Sequence, residues 1–419
     1  MELLQRDLSI TRGCDGLGRC AQLLTLLLAF PRYAEKAREL RLSGLPLVRA
    51  EGPSEAAESW YMLFHAFAEA YKTFTGESAK IASIIIDQSH AAPKAAKMVD
   101  AFKEATICND VVHLYRAVEE KHKDKMKNPL FLYTYKEDVR RLHMCPTLAS
   151  MRRLWSLLYL SWVAMGEKDV AEWFNDYVMK DGDFTQNFYY TACGMPGSLP
   201  YSQAIESLHK FMMKARTHAG VLPCKSDINR LLHECFPKLC IKDSTRVDIE
   251  QIKAGPPRTS DGRIVLPLQT LLNVNLVRPG GVAYTPPQGS SQTTGVWYVN
   301  SKAAAAQNLK VDAARLSAHQ ECLQGECGSV VTLAMLDGSL IGLQKGIESY
   351  IQAVRSLYHV TWSEETRRFE CMCYGFQKSL MCSHVILVMH VEGVIDVREH
   401  LRGKLPAGAT RASTVVLLS

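Results

Sequence analysis

Four residues near the C-terminus combine the side chains and the spacing of a zinc site. Cys371 and Cys373 are separated by one residue, and Cys382 and His384 repeat that spacing after a gap of eight residues. Three thiolates and one imidazole form one of the standard tetrahedral ligand sets of structural zinc. We therefore predict that these four side chains bind Zn²⁺. The alternative is a group of reduced core cysteines that happen to lie close together.

The residues around these ligands predict how they are positioned. The sequence YHVTWSEETRRFECMC alternates and is rich in β-branched and aromatic residues, which predicts a hairpin that ends in a strand. Residues i and i+2 of a strand point to the same face, so Cys371 and Cys373 present their thiolates side by side. Tyr374–Gly375 predicts a turn, and the apolar run VILVMHVEG predicts a helix, giving a small ββα zinc-binding module. His390 lies further along this helix, where we expect it to pack or to meet solvent.

Composition limits the class of protein. A chain of 419 residues exceeds one ordinary core, so two domains with linkers are expected. Hydrophobic residues make up 47% and charged residues 22%, which is typical of a globular protein. The net charge of +6 permits a polyanionic partner without requiring one. Thirteen scattered cysteines do not resemble a disulfide scaffold, so we expect a reducing, intracellular compartment.

An apolar run near the N-terminus bears on membrane association. Residues 21–30 (AQLLTLLLAF) are too few to span a bilayer. Charged residues on both sides favour an amphipathic or buried helix over a secretory signal. We therefore expect no membrane partner and a soluble protein, nuclear if it meets DNA.

A layered α/β unit is predicted in the first half of the chain, because helical and strand patterns alternate there. The elements are a helix over 54–76, a buried strand in KIASIIID, a helix over 89–101, a strand over 105–108 and a helix over 110–125. From 130 to 190 the pattern is almost purely helical, with tryptophans that we expect to form a core.

Carboxylates follow both predicted strands. Asp87 ends the first one, at the edge where α/β sheets bind ligands. Asp110 opens the helix after the second strand, with His113 one turn on. Glu206 lies in a predicted helix over 201–218. Each alone has an ordinary alternative as a helix cap or a surface residue.

Taken in order, these residues resemble the catalytic region of Mutator-like element (MULE) transposases. That family has a ribonuclease H-like fold with a strand-end Asp, a [Cys/Asp]-x2-His motif, an all-helical insertion and a helix that bears a Glu. Here the corresponding residues are Asp87, Asp110 with His113, and Glu206. The C-terminal motif closely resembles the SWIM zinc finger, which such transposases commonly carry, and Trp297 matches its upstream strand.

The resemblance implies two-metal phosphoryl transfer on DNA, with three carboxylates that hold two Mg²⁺ or Mn²⁺ ions. Its first Asp belongs on an opening strand, and Asp15 is the residue at a tolerable distance. The first 44 residues look helical and lack the expected pair of strands. We therefore expect a transposase-derived, DNA-associated protein with an incomplete catalytic centre, and the sequence leaves open whether it is an enzyme. An active transposase and a zinc-dependent protein-interaction module are the alternatives.

The fold class expected is α/β: a partial ribonuclease H-like domain with an all-helical insertion, plus the zinc module. The expected organisation is an atypical segment over 1–44, a transposase-like domain over 45–220 with its insertion at about 126–195, a helical extension over 221–253, a linker over 254–296, a zinc-finger region over 297–395 with its core at 358–393, and a tail over 396–419. The DNA target and the oligomeric state are not encoded in any recognisable motif.

Overall fold

The computed structural model describes two mixed layers of helix and sheet, which confirms the α/β class. The described residues are 4–5, 13–14, 20–34, 39–52, 56–86, 90–123, 126–194, 199–201, 266, 268–286, 295–326, 339–364 and 367–402, with the backbone alone up to residue 52. Within these ranges no helix is both long and apolar enough to cross a bilayer.

The first sheet is built from six strands. They are β1 (Leu4–Gln5), β2 (Gly13–Cys14), β3 (Cys20–Ala34), β4 (Glu39–Gly52), β5 (Ser83–Ile86) and β6 (Thr106–Asn109). β3 pairs antiparallel with β1, β2 and β4. β1 pairs in parallel with β5, and β5 pairs in parallel with β6. The sheet is therefore antiparallel on one side of β1 and parallel on the other.

The prediction for the N-terminal segment is wrong. Residues 21–30 lie within β3 instead of a helix, and β4 begins at Glu39. A continuous apolar run has no period that separates a strand from a buried helix, so the pairing of β3 with β4 decides the outcome. The expectation that the first 44 residues lack the opening pair of strands is therefore also wrong.

The predicted alternation of helix and strand between 54 and 125 is confirmed. Around the parallel strands lie α1 (Ala57–Thr75), α2 (Ala91–Ala96) and α3 (Val111–Lys121). α1 ends at Gly76, whose φ of 74° gives the left-handed C-cap that glycine adopts without strain. All four residues of β5 are buried, and Ile84 and Ile86 pack in one core with Trp60 and Phe64 of α1.

The helical pattern predicted for 130–190 is also confirmed. It forms α4 (Phe131–His143), α5 (Leu148–Ala164) and α6 (Lys168–Tyr177). Trp155, Trp162 and Phe174 pack edge to face and tilted at the centre, with ring centroids 4.7–5.5 Å apart. These tryptophans belong to a packed core, as predicted.

The region predicted as a linker over 254–296 contains regular secondary structure. It contains α7 (Leu268–Val277) and β7 (Val282–Thr285). Leu271, Val274 and Val277 are buried against the C-terminal module, and this burial stabilises the helix beyond what local composition suggests. Pro and Gly flank these elements, which is why the segment resembled a linker.

The second sheet is antiparallel, in the order β10-β9-β8-β7. The remaining elements are β8 (Val296–Asn300), α8 (Lys302–Ala306), α9 (Ala313–Leu323), α10 (Leu340–Arg355), β9 (Leu357–Ser363), β10 (Arg368–Cys371), α11 (Tyr374–Ser379), α12 (Ser383–Val391) and α13 (Val397–Arg402). Ile347, Tyr350 and Val354 of α10 share one core with α4, α5 and α6. The C-terminal sheet and the helical layer are therefore packed together.

Asp138 in this helical core gives a test of the packing. It is 3% exposed, accepts a hydrogen bond from Trp162 Nε1 at 2.8 Å, and is 3.2 Å from the Arg141 guanidinium. Burial raises its pKa from 3.8 to about 6, although Trp162 and Arg141 act in the opposite direction. Between these two values the folded chain binds more protons than the unfolded chain, so stability falls as the pH rises.

We expect Asp138→Asn to remove this dependence, because the amide oxygen still accepts the Trp162 N–H but does not ionise. From pH 4 to 7 the native protein should lose up to about 3 kcal/mol of stability relative to the variant. Urea unfolding of both proteins at several pH values measures the difference. Parallel pH profiles would show that Asp138 is not desolvated.

Candidate metal centre

The four predicted ligands are placed by two strands and two helix starts. Cys371 is the last residue of β10 and pairs with Val360 of β9. Cys373 is the N-cap of α11, and Cys382 is the N-cap of α12, with His384 in the first turn of that helix. The predicted hairpin and helix are confirmed. The turn predicted at Tyr374–Gly375 is corrected, because these residues begin the additional helix α11.

The structure brings all four side chains into one buried cluster. Their ligand atoms lie within 4.8 Å of one another. Cys371, Cys373 and Cys382 are 2–6% exposed and His384 is 7% exposed. The Cys371 Sγ to His384 Nδ1 distance is 3.8 Å. Zn–S bonds of about 2.3 Å in a tetrahedron place ligand atoms at about this separation.

Each sulfur accepts one backbone N–H. The N–H of Cys373 donates to Cys371 Sγ, that of Phe376 to Cys373 Sγ and that of Val385 to Cys382 Sγ, all at 3.4 Å. The last two donors belong to the first turns of α11 and α12, where free amides point toward negative charge. The backbone is therefore arranged to stabilise thiolates.

Burial makes it unfavourable for the thiols of this cluster to ionise. Burial raises the pKa of the Cys371 and Cys382 thiols well above the ordinary value, and their sulfur neighbours add to the shift at Cys371. Burial also acts to raise the pKa of Cys373, but hydrogen bonds from the other two thiols, together with the charge and hydrogen bond of His384, lower that pKa well below the ordinary value. A divalent cation bound among the three sulfurs would favour the thiolate form of each.

The donor set fits zinc. Two or more thiolates with an imidazole select a tetrahedral, borderline-soft ion over Mg²⁺ or Ca²⁺, which need oxygen ligands. His384 Nδ1 faces the sulfur cluster, whereas its buried Nε2 has no hydrogen-bond partner among the described residues. The ring is held by Tyr358, whose ring centroid is 4.7 Å away. Four protein ligands fill a tetrahedron, so a zinc ion bound here is structural rather than catalytic.

Hydrogen bonds connect the backbone around the Cys3His cluster to the helical layer. Tyr190 donates a hydrogen bond to the carbonyl of Met372, the residue between two ligands. Tyr374, which follows the ligand Cys373, lies 3.3 Å from the hydroxyl of Tyr201. Tyr201 in turn lies 2.7 Å from Nε2 of His143. The backbone around the sulfurs is thus positioned by tertiary contacts as well as by the local hairpin.

His390 lies outside the cluster, as predicted. Its Nδ1 is 3.3 Å from the carbonyl oxygen of Ile395, at the C-terminal end of α12. It is partly buried and helps to close that end of the helix. The histidine next to the third cysteine, and not the spare one, completes the ligand set.

The candidate catalytic residues are placed less completely. Asp110 is fully buried at the N-cap of α3, where its carboxylate accepts the N–H of Val112 at 2.8 Å and lies 3.0 Å from His113 Nδ1. The structure therefore brings Asp110 and His113 together in a helix cap. Asp15, Asp87 and Glu206 lie outside the described residues.

Sequence reasoning missed the residues that support the ligands. Tyr190, Tyr201 and His143 are far from the motif in the chain, and nothing in their local sequence indicates that they contact it. Their positions follow from the packing of the helical layer. The amide donor at Val385 follows from the predicted helix start after Cys382, whereas the donor at Phe376 belongs to α11, where the sequence predicted a turn.

In comparisons with known proteins, no protein-family model, no curated protein and no solved structure matched the chain. No family is therefore assigned to it. The function proposed for it follows from its own residues and their geometry.

Replacing one ligand tests the metal centre. We expect Cys373→Ser to lose bound zinc and to unfold residues 358–395 locally, because structural zinc contributes about 10–16 kcal/mol of folding free energy in small fingers. His390→Ala is the matched control, since it alters a histidine of the same helix outside the cluster. Zinc content by elemental analysis and amide hydrogen exchange over 358–395 report the result.

The assignment is wrong if the native protein purified with zinc in the medium binds none, or if chelation leaves exchange in this segment unchanged. Loss of zinc from His390→Ala would show that the wrong histidine was chosen.

Proposed function

We propose that this chain is a MULE transposase-derived, DNA-associated protein whose SWIM-type finger is folded around structural Zn²⁺. The observation that carries the proposal is the buried Cys-x-Cys…Cys-x-His cluster, in which every sulfur accepts a backbone amide. The order of ligands, the hairpin before them and the apolar helix after them are those of the resemblance. Zinc has a folding role here, and DNA is the proposed partner.

The strand order supports a ribonuclease H-like sheet in the N-terminal half. Reading across the sheet gives β4-β3-β1-β5-β6, with antiparallel pairs up to β1 and parallel pairs after it. A three-stranded antiparallel meander joined through its first strand to parallel strands is the arrangement that the resemblance implies. The helices α4 to α6, which follow α3, correspond to the implied all-helical insertion.

DNA association makes a salt-dependent prediction. We expect the zinc-loaded protein to bind fluorescein-labelled oligonucleotides, with affinity that falls steeply between 50 and 200 mM salt as phosphate contacts release counterions. Fluorescence anisotropy with single-stranded and duplex DNA measures this. The zinc-free Cys373→Ser variant should bind more weakly than His390→Ala.

Absence of binding to any oligonucleotide at 50 mM salt would rule out the DNA partner. Zinc-dependent association with proteins in its place would favour the interaction-module alternative.

A second candidate function, metal-dependent DNA strand cleavage, is favoured by the opening strands. β1 takes the central position from which the first carboxylate of a three-carboxylate centre would come. Gln5 of β1 pairs with Ile85 of β5. In the sequence, Asp7 lies two residues after Gln5 and Asp87 lies two residues after Ile85, and both aspartates are outside the described residues. This count favours Asp7 over Asp15 as the first carboxylate, with Glu206 as the third.

Plasmid nicking in Mg²⁺ or Mn²⁺ tests the second candidate. We expect Asp7→Asn, Asp87→Asn and Glu206→Gln each to reduce nicking roughly 100-fold or more, because each removes charge that holds the ions and stabilises the transition state. Asp15→Asn is the matched control and should nick normally. Activity that depends on Asp15 and not on Asp7 would reverse the register assignment, and no nicking by the native protein would exclude the enzyme.

A further inference from the structure

We propose that the groove between α2 and residues 180–187 is the surface on which this protein holds the phosphate backbone of a nucleic acid. The inference rests on the proposed DNA association and names the residues responsible for it. The groove has a volume of about 770 Å³, and it lies away from the metal cluster. One wall is α2, the opposite wall is the chain after α6, and the first residues of β6 form the floor.

Three lysines line this groove. His90, Lys94 and Lys97 are spaced by four and three residues, so they share one face of α2 and its flanks. Lys180 stands on the opposite wall. All four side chains are exposed, and no ion pair joins any of the three lysines to a carboxylate of the described ranges. Their charge is therefore available to an anionic ligand.

One of the two carboxylates of the groove is engaged by a permanent cation. Asp181 accepts a hydrogen bond from the Arg152 guanidinium at 2.5 Å. Asp183 lies 3.9 Å from Nδ1 of His90, which pairs with it as an ion only when the imidazole is protonated. With Arg152 counted, the site carries four permanent cations against two carboxylates, so its net charge is positive. The groove thus complements a polyanion.

Hydrogen bonds to β6 hold the wall opposite α2 (residues 185–187) in place. The Asn109 backbone N–H donates to the carbonyl of Asn187 at 2.9 Å, and the Asn187 side-chain amide donates to the carbonyl of Ile107 at 3.0 Å. The Asn109 side chain donates to the carbonyl of Thr185, also at 3.0 Å. These bonds hold residues 185–187 along the edge of β6 that pairs with no other strand of the described residues. The lysines therefore border a preformed cleft, and little conformational entropy is lost when a ligand binds.

The dimensions fit a nucleic-acid strand. From His90 to Lys97 the helical rise is about 10 Å, at about 1.5 Å per residue. That length matches about three steps of a strand at about 3.4 Å each. A concave groove with cations on both walls suits a strand that enters between them, whereas a flat lipid surface would contact only one wall. The preferred occupant is therefore the sugar-phosphate backbone.

Charge reversal in the groove tests the proposal on the full-length, zinc-loaded protein. The variant Lys94→Glu/Lys97→Glu/Lys180→Glu is compared with Lys72→Glu/Lys302→Glu/Lys310→Glu, which makes the same change in net charge at exposed lysines elsewhere. Anisotropy with a 20-nucleotide labelled DNA, single-stranded and duplex, is measured from 50 to 200 mM salt. Zinc content and circular dichroism confirm that each variant is folded.

We expect the groove variant to bind at least tenfold more weakly than the control variant at 100 mM salt. Lys→Gln replacements at the groove positions should lower the slope of log affinity against log salt by up to about 0.9 per lysine on duplex DNA, or about 0.7 on a single strand. The larger loss on one DNA form identifies which form the groove holds.

Equal weakening of both charge-reversed variants would overturn the groove, because binding would then follow net charge alone, while DNA association itself would stand. Unchanged binding of the groove variant would overturn it in the same way. If the native protein binds neither DNA form, both the groove and the DNA association are wrong.

Discussion

The constraint on which the C-terminal half depends is the burial of three thiols and one imidazole whose ligand atoms lie within 4.8 Å of one another. Burial strongly disfavours negative charge on Cys371 and Cys382, and the helix-start amides offset only part of that cost. A zinc ion at this position would remove the conflict, because it would deprotonate the thiols and fix their positions together. The hairpin and α12 also share an apolar core, which includes Val360, Ile386 and Val388.

This centre is not an isolated finger. Tyr190 holds the carbonyl between two ligands, and Tyr374 extends from a ligand toward Tyr201 and His143. α10 places its apolar face in the helical core and leads directly into β9. The Cys3His cluster is therefore joined to the helical layer by hydrogen bonds and by packing.

The two halves combine a sheet edge, a helical layer and a cationic groove. Asp110 and His113 cap the helix that leaves β6, close to where a parallel sheet binds ligands. The groove runs along the outer side of β6, where lysines face a wall that asparagine side chains hold in place. A strand held in that groove would lie beside the same sheet. Charge and topology thus agree on the face of the α/β unit to which the proposed polyanion would bind.

The sequence alone indicated which four side chains would converge, from their types and spacing. It did not predict how Cys373 is held, because β10 ends at Cys371 and Cys373 caps the unpredicted helix α11. It also determined β5, β6 and the helices around them, where pattern and burial agree. It did not determine β3, since ten apolar residues carry no period, and only pairing with β4 made them a strand. The sequence also did not predict α7, because Pro and Gly flank it and the burial of Leu271 and Val274 stabilises it. Long-range contacts decided these features and the groove, and no local pattern records which distant residues will meet.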